Sequence, residues 1–209
     1  MENVTLMRMA KESLRGKWGL AIGTFLVYTL VVGGLQFNYS FYSNLYGANM
    51  FASMGGLVGL ILGGPLTLGL TFFSLAISRN EEARFEQVFD GFRYFGTALG
   101  AYLLMGIFVL LWSLLLIIPG IIAALSYAMT FYIIADNPSI EVMDAIDKSK
   151  KMMYGYKWKF FCLQLRFLGW ALLCLLTLGI GFLWLMPYMK VSFAKFYDDI
   201  NERQVAAEI

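Results

Sequence analysis

The chain has 209 residues, 59% of them hydrophobic and only 14% charged, whereas a soluble domain carries about 25% charged and about 45–50% apolar residues. A soluble core of this size cannot hide such a surplus, and a bilayer can. The net charge of +2 gives no footing for a nucleic-acid partner, and the lack of histidine removes the commonest metal ligand and general base, so neither metal nor cofactor is expected.

Taken in chain order, residues 3–15 open with a weak amphipathic pattern carried by Leu6, Met9, Ala10 and Ser13. The first apolar stretch, 18–35, is too long for a secretory signal core and lacks a convincing cleavage site, so it reads as a retained span. The loop 36–50 sets Phe37, Tyr39, Phe41, Tyr42 and Tyr46 among polar residues, as suits a membrane–water interface. The second stretch, 51–77, carries Gly55, Gly59 and Gly63 at four-residue spacing, a face for internal helix packing or for self-association. The Gly64-Pro65 step after them predicts a kink.

Asn80 to Phe92 reads as an amphipathic helix, with Asn80 as cap and Phe85, Val88, Phe89 and Phe92 as its stripe. The stretches 97–118 and 120–135 follow, joined by the short turn Ile118-Pro119-Gly120. A third amphipathic segment is expected to start at Asn137-Pro138, with Val142, Met143, Ile146 and Met153 on its apolar side. The last stretches, 160–178 and 180–197, meet at Leu178-Gly179. Cys162 and Cys174 lie twelve residues apart in one of them, about 18 Å on a helix, too far to pair.

Charge orders these stretches. Lys and Arg number four in 1–17, three in 78–96, five in 136–159 and three from Lys190 onward, and all fourteen acids fall in the same segments. The connections 36–50, 118–120 and 178–179 hold none. Six crossings put every loop charge on one side, which the positive-inside rule makes the cytoplasm. The expected fold is therefore an all-α membrane protein of six transmembrane helices in three helical hairpins, each preceded by a cytoplasmic amphipathic helix, with both termini inside.

The junctions echo one another. Leu14-Arg15-Gly16-Lys17-Trp18 and Met153-Tyr154-Gly155-Tyr156-Lys157-Trp158 open the first and third hairpins, and Asp90-Gly91-Phe92-Arg93-Tyr94 is a looser middle copy. The hairpins end alike at Arg79-Asn80, Asp136-Asn137 and Asp199-Ile200-Asn201. One membrane domain, 1–209, thus reads as three repeat-like units, 1–79, 80–136 and 137–201.

The site candidates are cations. Arg166 and Lys190 lie within spans, where charge is costly and suggests function. They bind an anionic headgroup or phosphate, or else they snorkel to the headgroups or pair internally, for instance with Asp136. Lys157 and Lys159, in a basic stretch with Lys148, Lys150 and Lys151, should face an anionic leaflet. No catalytic constellation is present, and no enzyme activity is expected.

Ile117-Ile118-Pro119-Gly120-Ile121-Ile122, Ala135-Asp136-Asn137-Pro138, Ser149-Lys150-Lys151-Met152-Met153, Phe167-Leu168-Gly169-Trp170, Leu176-Thr177-Leu178-Gly179-Ile180-Gly181, Pro187-Tyr188 and Phe196-Tyr197 form an ordered series, preceded by Leu14-Arg15-Gly16-Lys17-Trp18. The series resembles the bacterial integral membrane family called domain of unknown function 975. The resemblance implies a bacterial cytoplasmic membrane location and a serine where this chain has Arg166. It implies no reaction, ligand or catalytic residue. The leading expectation is a non-enzymatic membrane component that binds lipids, anionic ones included, or a protein partner or further copies of itself. The alternative is a small transporter or channel for an apolar or lipid-like substrate, which a cavity lined by Arg166, Lys190, Thr71, Thr130 and Gln164 would favour.

Overall fold

The computed structural model describes residues 1–31, 50–177 and 179–208. The aromatic loop at 36–50 lies mostly outside them, as do Leu178 and the side-chain surroundings of Gly55. Helices account for the regular structure: α1 (Asn3–Ser13), α2 (Trp18–Val31), α3 (Met50–Ser78), α4 (Gln87–Asp90) with a 3-10 turn Gly91–Tyr94, α5 (Phe95–Leu115), α6 (Ile117–Tyr127), α7 (Thr130–Asp136), α8 (Val142–Met152), α9 (Lys157–Leu176) and α10 (Phe182–Glu208). No strand occurs among the described residues.

Four stretches are long and apolar enough to cross a membrane: Val58–Ser78, Gln87–Leu115, Ile117–Asp136 and Lys157–Leu176. Trp18–Val31 is a shorter apolar helix. The first half of α10 is apolar, but Lys190, Lys195, Asp198 and Asp199 interrupt the pattern. α3 and the α6–α7 stretch are mostly enclosed by protein, whereas the α5 stretch and α9 turn most of their surface outward. A face that exposes Leu165, Leu168, Leu172, Leu173, Leu175 and Leu176 is unfavourable in water and natural in lipid.

α1 and α8 do not lie free as surface helices. Leu6, Ala10 and Ser13 of α1 are buried, as are Ala145, Ile146, Ser149 and Met152 of α8. Their apolar faces close the bundle: Leu6 joins a core with Met129, Ile133, Phe160, Phe196 and Tyr197, and Ala10 and Leu14 join one with Phe25, Phe73, Ile77 and Val191. Met143, expected on the apolar stripe, is 47% exposed instead.

Both helices end the same way. Gly16 and Gly155 adopt φ of +83° and +80°, a region that costs an L-residue about 1–2 kcal/mol. The surrounding hydrogen bonds match: Leu14 N–H to Ala10 and Lys17 N–H to Leu14 in one junction, Met153 N–H to Ser149 and Tyr156 N–H to Met153 in the other. Gly91, the expected middle counterpart, has φ −60° and sits in a 3-10 turn, so its junction is built differently.

Two asparagines read as helix starts are helix ends. Asn80 has φ +60° and closes α3, with its N–H donating to Ile77 and that of Glu81 to Ala76, a Schellman arrangement. The segment after it forms only the four-residue α4 and the 3-10 turn; Val88 is buried and Phe89 is 48% exposed. Asn137 closes α7 and accepts the Ile140 N–H and, on its side chain, the Ser139 hydroxyl, so α8 begins later, at Val142.

The glycine contacts also fall elsewhere than the spacing suggested. A Cβ on Gly59 would meet nothing within 4 Å, and one on Gly63 would approach the Tyr102 ring at 3.2 Å. The tightest approaches to neighbouring backbone among the described glycines are at Gly64, whose Cβ would lie 2.6 Å from the Ala98 carbonyl, at Gly69 against the Val88 carbonyl and at Gly91 against that of Pro65. α3 runs on through Pro65, and the Gly64-Pro65 step forms a notch for the α4 segment and α5.

Between α6 and α7 the ladder is interrupted and Ser149 mends it. Its buried hydroxyl donates to the Ser126 carbonyl at 2.7 Å and accepts the Met129 N–H at 3.2 Å. A side chain from α8 thus replaces intrahelical bonds at the break.

Candidate functional site

Charged side chains converge where α3 and α7 end against the middle of α10. Arg79, just past α3, donates to both oxygens of Asp136 at 2.8 and 2.9 Å and to Asp198 Oδ1 at 2.9 and 3.1 Å. The Tyr197 hydroxyl donates to Asp136 Oδ2 at 2.9 Å, and that of Ser78 to Asp198 Oδ2 at 2.7 Å. Lys195 donates to the Ser78 carbonyl at the end of α3, where a cation complements the helix dipole. The expected Asp136 pair with a span cation is therefore made by Arg79, not by Arg166 or Lys190. The planar guanidinium fork suits two carboxylates at once, which an ammonium does not.

A second cluster surrounds Asp199, only 4% exposed. The Met1 ammonium, Lys159 Nζ and Arg203 Nε reach its carboxylate at 3.0, 3.1 and 3.1 Å. Burial pushes the Asp199 carboxyl up, but the bonds from the ammonium, Lys159 and Arg203 outweigh it and hold the group below its usual range. Lys159 also lies 5.4 Å over the Phe196 ring. It belongs to this ion cluster. Nearby, Asn3 Nδ2 donates to the Lys159 carbonyl at 2.9 Å and Lys17 Nζ to that of Glu81 at 2.9 Å.

A depressed carboxylate supports the fold only while ionised. Asp199 contributes stability above the ordinary carboxylate pKa of about 4, and that contribution disappears as pH falls through its lower folded value. The thermal unfolding temperature of the wild type should therefore exceed that of Asp199→Asn at pH 5–7, the gap closing below about pH 4. A gap that persisted at low pH would contradict the carboxylate's role.

The other cations stand apart. Arg166 is exposed on α9 and Lys157 half-buried at its start, and no acidic side chain pairs with either among the described residues. Lys190 is half-buried on α10, where its backbone carbonyl accepts the Tyr132 hydroxyl at 3.4 Å. Lys150 pairs with Asp147 at 2.9 Å. Met152 and Met153 are fully buried, leaving Tyr154 and Trp158, 83% and 73% exposed, as the aromatic contacts offered outward.

A groove of about 360 Å³ runs beside α10, walled by Trp18, Trp170, Trp184 and Tyr188, with Lys11 and Cys174 also on its lining. Its surface is mostly apolar. None of Arg166, Lys190, Thr71, Thr130 and Gln164 lines it. The residues that do are visible in the sequence only as scattered tryptophans, because the lining is assembled from four separate helices. A smaller polar cleft of about 270 Å³ lies beside Arg79, Asp90, Arg93 and Asp136.

Residues 1–122 and 114–204 match the family described as protein of unknown function DUF975. The chain belongs to that family. No curated protein and no solved structure matches it. The DUF975 match embraces both junction glycines, the Arg79–Asp136–Asp198 cluster and all four groove tryptophan and tyrosine residues.

Proposed function

We propose that this DUF975 chain crosses the bacterial cytoplasmic membrane six times as three helix pairs, with both termini in the cytoplasm, and binds membrane lipid there without transforming a substrate. The observation that carries the lipid reading is the aromatic groove beside α9, a helix whose leucine-rich surface already faces outward. Supporting the crossing count, residues 1, 79, 136, 159, 198, 199 and 203 meet in two ion clusters. Each pair of apolar stretches then leaves and returns to the same end, as an even number of passages requires. Further copies of the chain could contribute to the exposed α5 and α9 faces.

Native mass spectrometry of the full chain in a mild detergent tests the function. Adducts at phospholipid mass that survive gentle activation are expected. A bare protein mass under conditions that preserve the fold, judged by helical circular dichroism, would overturn it.

A further inference from the structure

The groove has a chemistry of its own, and we infer that it binds one phospholipid with an anionic headgroup, an acyl chain lying among Trp18, Trp170 and Trp184 and the phosphate resting on Lys11 and Arg166. The inference rests on the lipid-binding reading above and adds to it the place, the headgroup charge and the orientation.

Three of the five tryptophans border this one groove. The groove's volume, about 360 Å³, falls within the usual range of about 300–1,000 Å³ for small-molecule sites. Indole rings offer broad apolar walls and an N–H that favours the interface. The groove also adjoins the outward-facing side of α9, so a chain can enter from the bilayer without opening the bundle.

The cations give the groove a direction. Arg166, Trp170 and Cys174 are spaced by four on α9 and so lie along one face. Trp170 and Cys174 are on the groove wall, which puts Arg166 one turn beyond it, toward the Lys159–Asp199 end. Lys11 comes from α1, tied to that same end by the Asn3 bond to Lys159 and the Ser13 bond to Ser78. Lys11 and Arg166 are both exposed, and neither has an acidic partner among the described residues, while Lys159, Arg79 and Arg203 are already matched. Two unmatched cations beside an apolar slot favour a net negative headgroup over a zwitterionic one, whose ammonium they would repel.

The test uses the full chain reconstituted with equimolar phosphatidylglycerol and phosphatidylethanolamine, then read by native mass spectrometry. Wild type should retain phosphatidylglycerol preferentially. Lys11→Gln and Arg166→Gln should each lower that preference about fivefold, and the double variant about 30-fold. Arg166→Lys should restore most of it. Trp170→Ala should weaken retention of both lipids with the preference unchanged, and 10-fold excess inorganic phosphate should displace neither. If wild type retains lipid but the double variant keeps its preference, the headgroup site is wrong and general lipid binding stands. If wild type retains none, the lipid-binding reading fails with it. Displacement by inorganic phosphate would also overturn the inference, since a free-anion site would then suffice.

Discussion

Arg79→Ala is expected to lower the stability of the protein by about 2 kcal/mol, seen as a drop in thermal unfolding temperature in detergent. The arginine is the hub on which Asp136 and Asp198 depend, at 27% and 18% exposure. Removing it leaves two half-buried carboxylates without their shared cation, with Tyr197 and Ser78 still donating to them. Stripping one partner from a fully buried pair costs about 3–5 kcal/mol, and solvent at a guanidinium one-third exposed reduces that here. Arg79→Lys should recover less than half, because one ammonium cannot satisfy both carboxylates with fork geometry. Equal stability of Arg79→Ala and wild type would mean the cluster is held in place by the helices and contributes nothing to them.

Gly69→Ala should be more damaging still, with a loss of at least about 3 kcal/mol or failure to accumulate. The added methyl would collide with the Val88 carbonyl, and backbone on both sides leaves no flexible side chain to yield. Gly91→Ala, against the Pro65 carbonyl, should behave alike. Gly59→Ala is the control: its Cβ meets open space, so the helix gains slightly from losing a glycine. Purification yield and unfolding temperature across the three variants check the order, and a Gly59→Ala defect as large as that of Gly69→Ala would contradict the packing described.

The same glycines show what a sequence can and cannot reveal. Spacing picked out Gly55, Gly59 and Gly63 because a four-residue period defines a face, but a period does not say where a neighbour comes closest. The partner of Gly69 is the short α4 segment, for which the sequence suggests a helical start at Asn80, seven residues before the observed one. Asparagine serves both as an N-cap and as a left-handed helix end, and only the backbone dihedral separates the two. Gly16 and Gly155 were legible, since each stands between an amphipathic run and an apolar one and breaks the period there. The alikeness of Arg79-Asn80, Asp136-Asn137 and Asp199-Ile200-Asn201 is visible as an echo. That Arg79 touches Asp136 and Asp198, the latter just before the echoed residues, is not, because contacts between residues 57 and 119 positions apart leave no local pattern. The groove was hidden for the same reason: Lys11, Trp18, Trp170 and Trp184 belong to four helices.

The proposed six-span topology requires the two ion clusters to lie at one end of the bundle, with both chain termini on that same side of the membrane. Cysteine accessibility in intact cells tests this most directly. In a chain with Cys162 and Cys174 replaced by serine, single cysteines at Glu2, Asn44, Lys148 and Val205 would be exposed to a membrane-impermeant thiol reagent. Protection at residues 2, 148 and 205 with labelling at 44 is the predicted result. Labelling of residue 2 or 205 from outside the cell would contradict it.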